Sequence, residues 1–215
     1  MSRLGWVLIG TAVMASGALP LGAQGGRAAG ADTSDGALIP AGYGTLRQDD
    51  IAIALKLDGV LVKLIPLDES VIRVLAPDSY KSLHDLRQNR AGQMARRGAF
   101  SDLHEQNAWW VEFNALIPDI AFTPTDLTIS APGRDFHPVQ VIELTKGFGQ
   151  NRLQVRQPQR AIYLFDDGLD VNQPLTATMG AVTSADWQSI LRRVETERTQ
   201  VRARAAKAGR GAPPI

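Results

Sequence analysis

The sequence predicts a mainly β protein: an antiparallel sandwich interrupted by a helical insertion and closed by a C-terminal helix. Three observations carry that expectation. Short apolar runs recur between clusters of Gly, Pro, Asp and Asn, the pattern of sandwiches and barrels rather than of βαβ units. One pair of runs is joined by Asp58-Gly59, a two-residue hairpin signal. The last long segment switches to helical period, with Trp187, Ile190, Leu191, Val194 and Val201 on one face.

The chain begins with Met1-Ser2-Arg3, a short positive start, followed by an uncharged apolar run over residues 4–15. Pro20 breaks that run, and Leu21-Gly22-Ala23 puts a small residue at a cleavage position. Residues 1–23 are therefore expected to be a signal peptide, and the mature chain to be periplasmic or secreted. The alternative is an uncleaved anchor over residues 4–22, since about 20 apolar residues can cross a bilayer. Membrane association is otherwise expected only through a partner. Residues 24–40 hold no large apolar side chain before Leu38, too little to offset ordering entropy, and are expected to be a flexible leader.

The sandwich is expected over residues 41–182. Ile51, Ile53, Leu55 and Leu57 alternate with Ala52, Ala54 and Lys56, the period of a half-buried strand. Asp58-Gly59 suits a type I′ turn, after which residues 60–65 return as the partner strand until Pro66. Residues 68–104 are the helical insertion. Its first part, residues 71–76, fits a helical turn or a strand. A clearer helix starts at Pro77-Asp78, with Tyr80, Leu83 and Leu86 or Arg87 at helical spacing, and runs through a basic stretch into a mobile loop.

Period two returns at Trp109. Trp109, Val111 and Phe113 share one face, while Trp110, Glu112 and Asn114 share the other. Strand-like runs follow at 126–130, 139–144, 152–155, 161–165 and 175–179. Tyr163 stands two positions before Phe165, as the corner Tyr of an immunoglobulin sandwich stands before its second core Cys. Together with the strand spacing, this makes the expected sandwich immunoglobulin-like. Thr183 with Asp186 reads as a capping box for the C-terminal helix, residues 183–204. Arg192, Arg193, Arg198 and Arg202 are expected on its solvent side, its apolar stripe against the chain's own sandwich or a partner, and residues 205–215 as a disordered tail.

Composition narrows the function. Among 215 residues, 23 Lys and Arg oppose 22 Asp and Glu, giving a formal charge of +1. Losing Arg3 with the signal peptide brings that to zero, so no field favours nucleic acid as a partner. The absence of Cys excludes disulfides, Cys-ligated zinc, iron–sulfur clusters and a thiol nucleophile. His104-Glu105 starts like HExxH, but Gln106-Asn107-Ala108 supplies no second His. Of the three histidines, His84, His104 and His137, His84-Asp85 could converge with His104-Glu105 on a metal, although separate surface residues are the simpler reading. The loop 166–172 gathers Asp166, Asp167, Asp170 and Asn172, oxygen ligands of the kind calcium prefers, without EF-hand spacing. The same residues are also ordinary turn formers. Gly-x-Ser-x-Gly and the phosphate-binding Gly-x-x-x-x-Gly-Lys loop are both missing.

No catalytic residue, metal or cofactor is therefore expected. If Trp109 faces the core, Trp110 points away and needs a cover, supplied by the chain's own helices or by a partner. Trp110 and Trp187 are accordingly the candidate partner-binding residues. The expected function is that of an exported, non-catalytic binding or scaffold module of the bacterial envelope. One form of it is an accessory subunit docking on an envelope or membrane protein through the insertion or the C-terminal helix. The alternative is a metal-dependent carbohydrate-binding protein or hydrolase that uses the loop at Asp166 to Asn172.

Overall fold

The first strand, β1 (Ile53–Leu57), turns back at Asp58-Gly59 into β2 (Val60–Pro66), with Leu57 opposite Val60. This is the hairpin the alternation predicts. Its turn is not the expected type I′, which needs positive φ at both central residues. Gly59 has φ of +75°, whereas Asp58 does not enter that region. A Cβ on Gly59 would also stand 2.5 Å from Cδ1 of Ile120, so close packing and backbone both select glycine. The computed structural model describes residues 38–95, 107–150, 152–166 and 168–210. The expected signal peptide, most of the leader, His104, Asp167 and the last five residues of the tail lie outside the described residues.

Two antiparallel sheets form the framework, as the sequence predicts. β3 (Asn107–Ala115) pairs with β2 on one side and with β7 (Gln159–Phe165) on the other, and β6 (Gln140–Glu143) completes the order β1-β2-β3-β7-β6. The second sheet contains β4 (Leu127–Ala131), β5 (Arg134–Phe136), β8 (Thr176–Met179) and β9 (Val182–Ser184), ordered β5-β4-β8-β9. β1 lies beside β8 and β9, which brings the sheets together along that side. Val62, Leu64, Trp109, Val111 and Phe113 of the first sheet join Leu127, Ile129, Ala177 and Met179 of the second in one buried cluster. The first three strands stay neighbours in one sheet, whereas an immunoglobulin sandwich sends its third strand to the opposite sheet. Nor does Tyr163 close a local corner: its hydroxyl donates to the carbonyl of Pro124, 39 residues upstream. The fold is thus a two-sheet antiparallel sandwich.

Some runs behave differently from their local pattern. Residues 152–155 form no strand; Leu153 and Gln154 make only isolated bridges, to Ile120 and Gln157. Their side chains suit a strand, but no neighbouring edge offers a ladder. Residues 71–76 resolve into the end of a short helix, α1 (Glu69–Ile72), and a bridge from Leu75 to Leu46. Asp68 caps α1 by accepting from the Ser70 amide. α2 (Pro77–Ala95) begins at Pro77, whose missing N–H suits a first helical position, and carries Arg87 and Arg90 of the basic stretch. The rest of the expected insertion, residues 96–104, is outside the described residues.

The final helix, α3 (Trp187–Arg210), starts later and ends later than expected. Thr183 belongs to β9, where it faces Thr178 across the hairpin at Gly180. Sheet pairing takes it from the cap, and the Asp186 carbonyl instead accepts the first amides of the helix, from Ser189 and Ile190. Residues 205–210, expected as tail, are helical. The apolar stripe docks on the chain's own domain: Trp187, Val194 and Val201 are fully buried and Ile190 nearly so. Arg198 is a correction, because only 9% of it is exposed. Its guanidinium donates to the Ser70 carbonyl and to Oδ1 of Asn172, joining α3 to the α1 segment and the loop after β7. Among the described residues no helix is long and apolar enough to cross a membrane, and the expected anchor segment 4–22 is not among them.

Candidate ligand-binding groove

Antiparallel register fixes what stands beside Trp110 on the outer face of the first sheet. Ile65, Trp110, Ile162 and Ile142 form one row across β2, β3, β7 and β6. Lys63, Glu112 and Arg160 form the next. Ile65 and Ile162 are fully buried, so this face is covered as well as the inner one. Coverage is incomplete. Between α2 and the sheet lies a groove of about 630 Å³, with half-buried Trp110 among its lining residues. That volume is in the range of small-ligand sites. Leu83 and Leu86 of α2 line the same groove as Trp110.

The polar groups of the groove are held in place before any ligand arrives. Glu112, 8% exposed, accepts from Nε of Arg160 at 2.5 Å and from Nδ2 of Asn114 at 2.9 Å. Lys63 donates to Asp49 at 2.6 Å, and Asp85 pairs with Lys81 one turn earlier on α2. The Arg160 guanidinium lies 6.0 Å from the centre of the Trp110 ring, a cation–π distance. Each carboxylate lining the groove therefore has a cation beside it. Gln48, Ser82 and Asn89 add two amides and a hydroxyl, each able both to donate and to accept.

Trp187, the other candidate partner residue, is placed differently. It is fully buried, its ring centre stands 5.8 Å from that of Trp109, and its indole N–H donates to the Val171 carbonyl at 2.9 Å. It is a tie between α3 and the sandwich, not part of an exposed face.

His84 meets a carboxylate of α1. Its Nδ1 is 2.6 Å from Oε1 of Glu69, and its ring stacks on Tyr80, whose hydroxyl donates to the same carboxylate. Arg73 closes the cluster with a 2.7 Å bond to Glu69. Burial would raise the Glu69 pKa, but the hydrogen bonds and charges of Arg73 and His84 outweigh it, so Glu69 titrates below the usual range. The cluster fastens α1 to α2. His137 bonds Thr128, and His104 is outside the described residues.

In the loop 166–172 the described carboxylates turn to separate partners. Asp166 pairs with Arg134, while Asp170 accepts from the Asn172 amide and from Gln173. Asn172 itself receives Arg198. Among the described residues no three His, Asp or Glu side chains gather closely enough to hold a metal ion.

Sequence reasoning found Trp110 and the face it shares with Glu112, but missed Lys63 and Arg160 as neighbours. The signal for the face is local alternation, whereas these neighbours follow from register between distant strands. No family model, curated protein or solved structure matches the chain. Function has to be read from the groove itself.

Proposed function

We infer that the protein is an exported, non-catalytic binding module of the bacterial envelope, with the groove under α2 as its working surface. One observation carries this reading: Trp110 stays half-buried in a groove whose charged groups are already paired, while the stripe of α3 is used up inside the fold. Charged groups already held by one another, with lone pairs and N–H groups to spare, suit holding a ligand by hydrogen bonds. The accessory-subunit form of the reading places its docking surface on α2 rather than α3. Export rests on the charge and hydropathy pattern of residues 1–23.

Two measurements test the reading. N-terminal sequencing of the native protein from a cell-envelope fraction is expected to start at Gln24; a start at Met1 in a cytosolic fraction would remove the export half. Crosslinking in intact cells is expected to capture one dominant envelope component. Ser82→Trp, which adds bulk at an exposed position on the groove wall, is expected to reduce that capture severalfold without changing the circular dichroism spectrum. Equal capture by both proteins would place the working surface elsewhere.

A further inference from the structure

We propose that the groove takes a neutral, hydroxyl-rich ligand, a segment of glycan seated against Trp110, with the hydroxyl and amide groups of α2 and residue 48 at its rim. This rests on the reading of the groove as the working site and names its ligand class.

Charge comes first. Asp49 is neutralised by Lys63, Glu112 by Arg160 and Asp85 by Lys81. A charged ligand competes with these existing pairs, most severely at Glu112, whose buried carboxylate already accepts from Arg160 and Asn114. A neutral ligand can instead add hydrogen bonds to the spare lone pairs and N–H groups of intact pairs. Gln48, Ser82 and Asn89 extend the same mixed donor and acceptor character along the groove. Alternating hydroxyls and ring oxygens are what such a rim satisfies.

Shape and apolar surface come second. Peptide recognition by strand addition uses the free backbone of a sheet edge. This groove lies on the face of β2, β3 and β7, whose backbones are already paired on both sides. A helical peptide needs an apolar groove, and most of the lining side chains here are polar or charged. A proline-rich segment seats between several aromatic rings, and Trp110 is the one aromatic among the described lining residues. A single flat ring on an apolar floor, with polar side chains along the rest of the groove, matches a pyranose instead. Its C–H face is apolar and wide enough to cover an indole, while its hydroxyls radiate to the sides.

The test is an array of neutral and uronic-acid-containing glycans probed with the full-length mature protein, followed by titration of the best binders. Tryptophan fluorescence and amide NMR shifts are the readouts. Saturable binding of a neutral oligosaccharide is expected, with the largest shifts at residues around Trp110. Trp110→Gln and Ser82→Trp are each expected to weaken it about tenfold or more. Ser82 is exposed on α2, so that variant keeps the test valid if the Trp110 variant fails to fold. Binding that follows uronic-acid content, or that neither substitution alters, would overturn the proposal. No glycan binding beside a protein partner whose capture Ser82→Trp abolishes would also overturn it, leaving the binding-module reading standing. Failure of both experiments would remove both.

Discussion

Trp187→Ala is expected to destabilise the folded chain by about 4 kcal/mol, the usual cost of deleting a fully buried large aromatic. The side chain is inaccessible, packs on Trp109 and fills the space where the first turn of α3 meets the sandwich. Its removal leaves a cavity and also orphans the buried Val171 carbonyl that accepts the indole N–H. Trp187→Phe separates these effects, since it keeps most of the apolar volume and loses the hydrogen bond. Its expected cost is about 1–2 kcal/mol. Equilibrium unfolding in urea measures both, with the two slopes expected to match the parent. A Trp187→Ala loss below about 1 kcal/mol would mean that α3 does not dock through this residue.

The elements legible in the sequence are those decided by neighbours along the chain. The hairpin at Asp58-Gly59, the two faces of β3 and the apolar stripe of α3 all follow from period and turn chemistry over a few residues. What was misread depends on distant pairing. Thr183 and Asp186 satisfy a capping-box spacing, yet β8 recruits Thr183 into a strand. Residues 152–155 have strand-forming side chains but no adjacent ladder. Arg198 looks like surface charge because nothing local reveals that the Ser70 carbonyl and Asn172 lie beneath it. The groove divides the same way. Alternation places Trp110 and Glu112 together, but Arg160 reaches Glu112 across 48 residues, a contact set only by the register of β3 on β7.

Glu197 is the other buried charge that the helical pattern concealed, and its loss has the second largest expected effect. Glu197 is 5% exposed, and its Oε1 accepts from the Thr45 amide and hydroxyl, both at 2.9 Å, and from Arg204 at 2.6 Å. Arg204 also donates to the Tyr43 carbonyl. These bonds clamp the segment before β1 onto α3. On its other side the segment is tight: Leu46 exchanges backbone bonds with Val74 and Ala76, and a Cβ on Gly44 would stand 2.1 Å from the Val74 oxygen. Glu197→Ala is expected to cost about 2–3 kcal/mol, at the lower end for a buried pair because Arg204 and Thr45 can regain water. Burial alone would raise the Glu197 pKa; the bonds from Arg204 and Thr45, with the charge of Arg204, overcome it and hold the carboxyl below its ordinary value. A lowered folded pKa means the unfolded chain binds the proton more readily. The clamp therefore contributes fully above the ordinary glutamate range and is lost as pH falls through the lower, folded value. Glu69 shifts in the same direction, so the parent should hold its stability from neutrality to about pH 5 and weaken below it. Urea midpoints across that range for the parent and Glu197→Gln should converge as pH drops. A gap that stayed constant with pH would show that shape, not the carboxylate charge, holds the segment on α3.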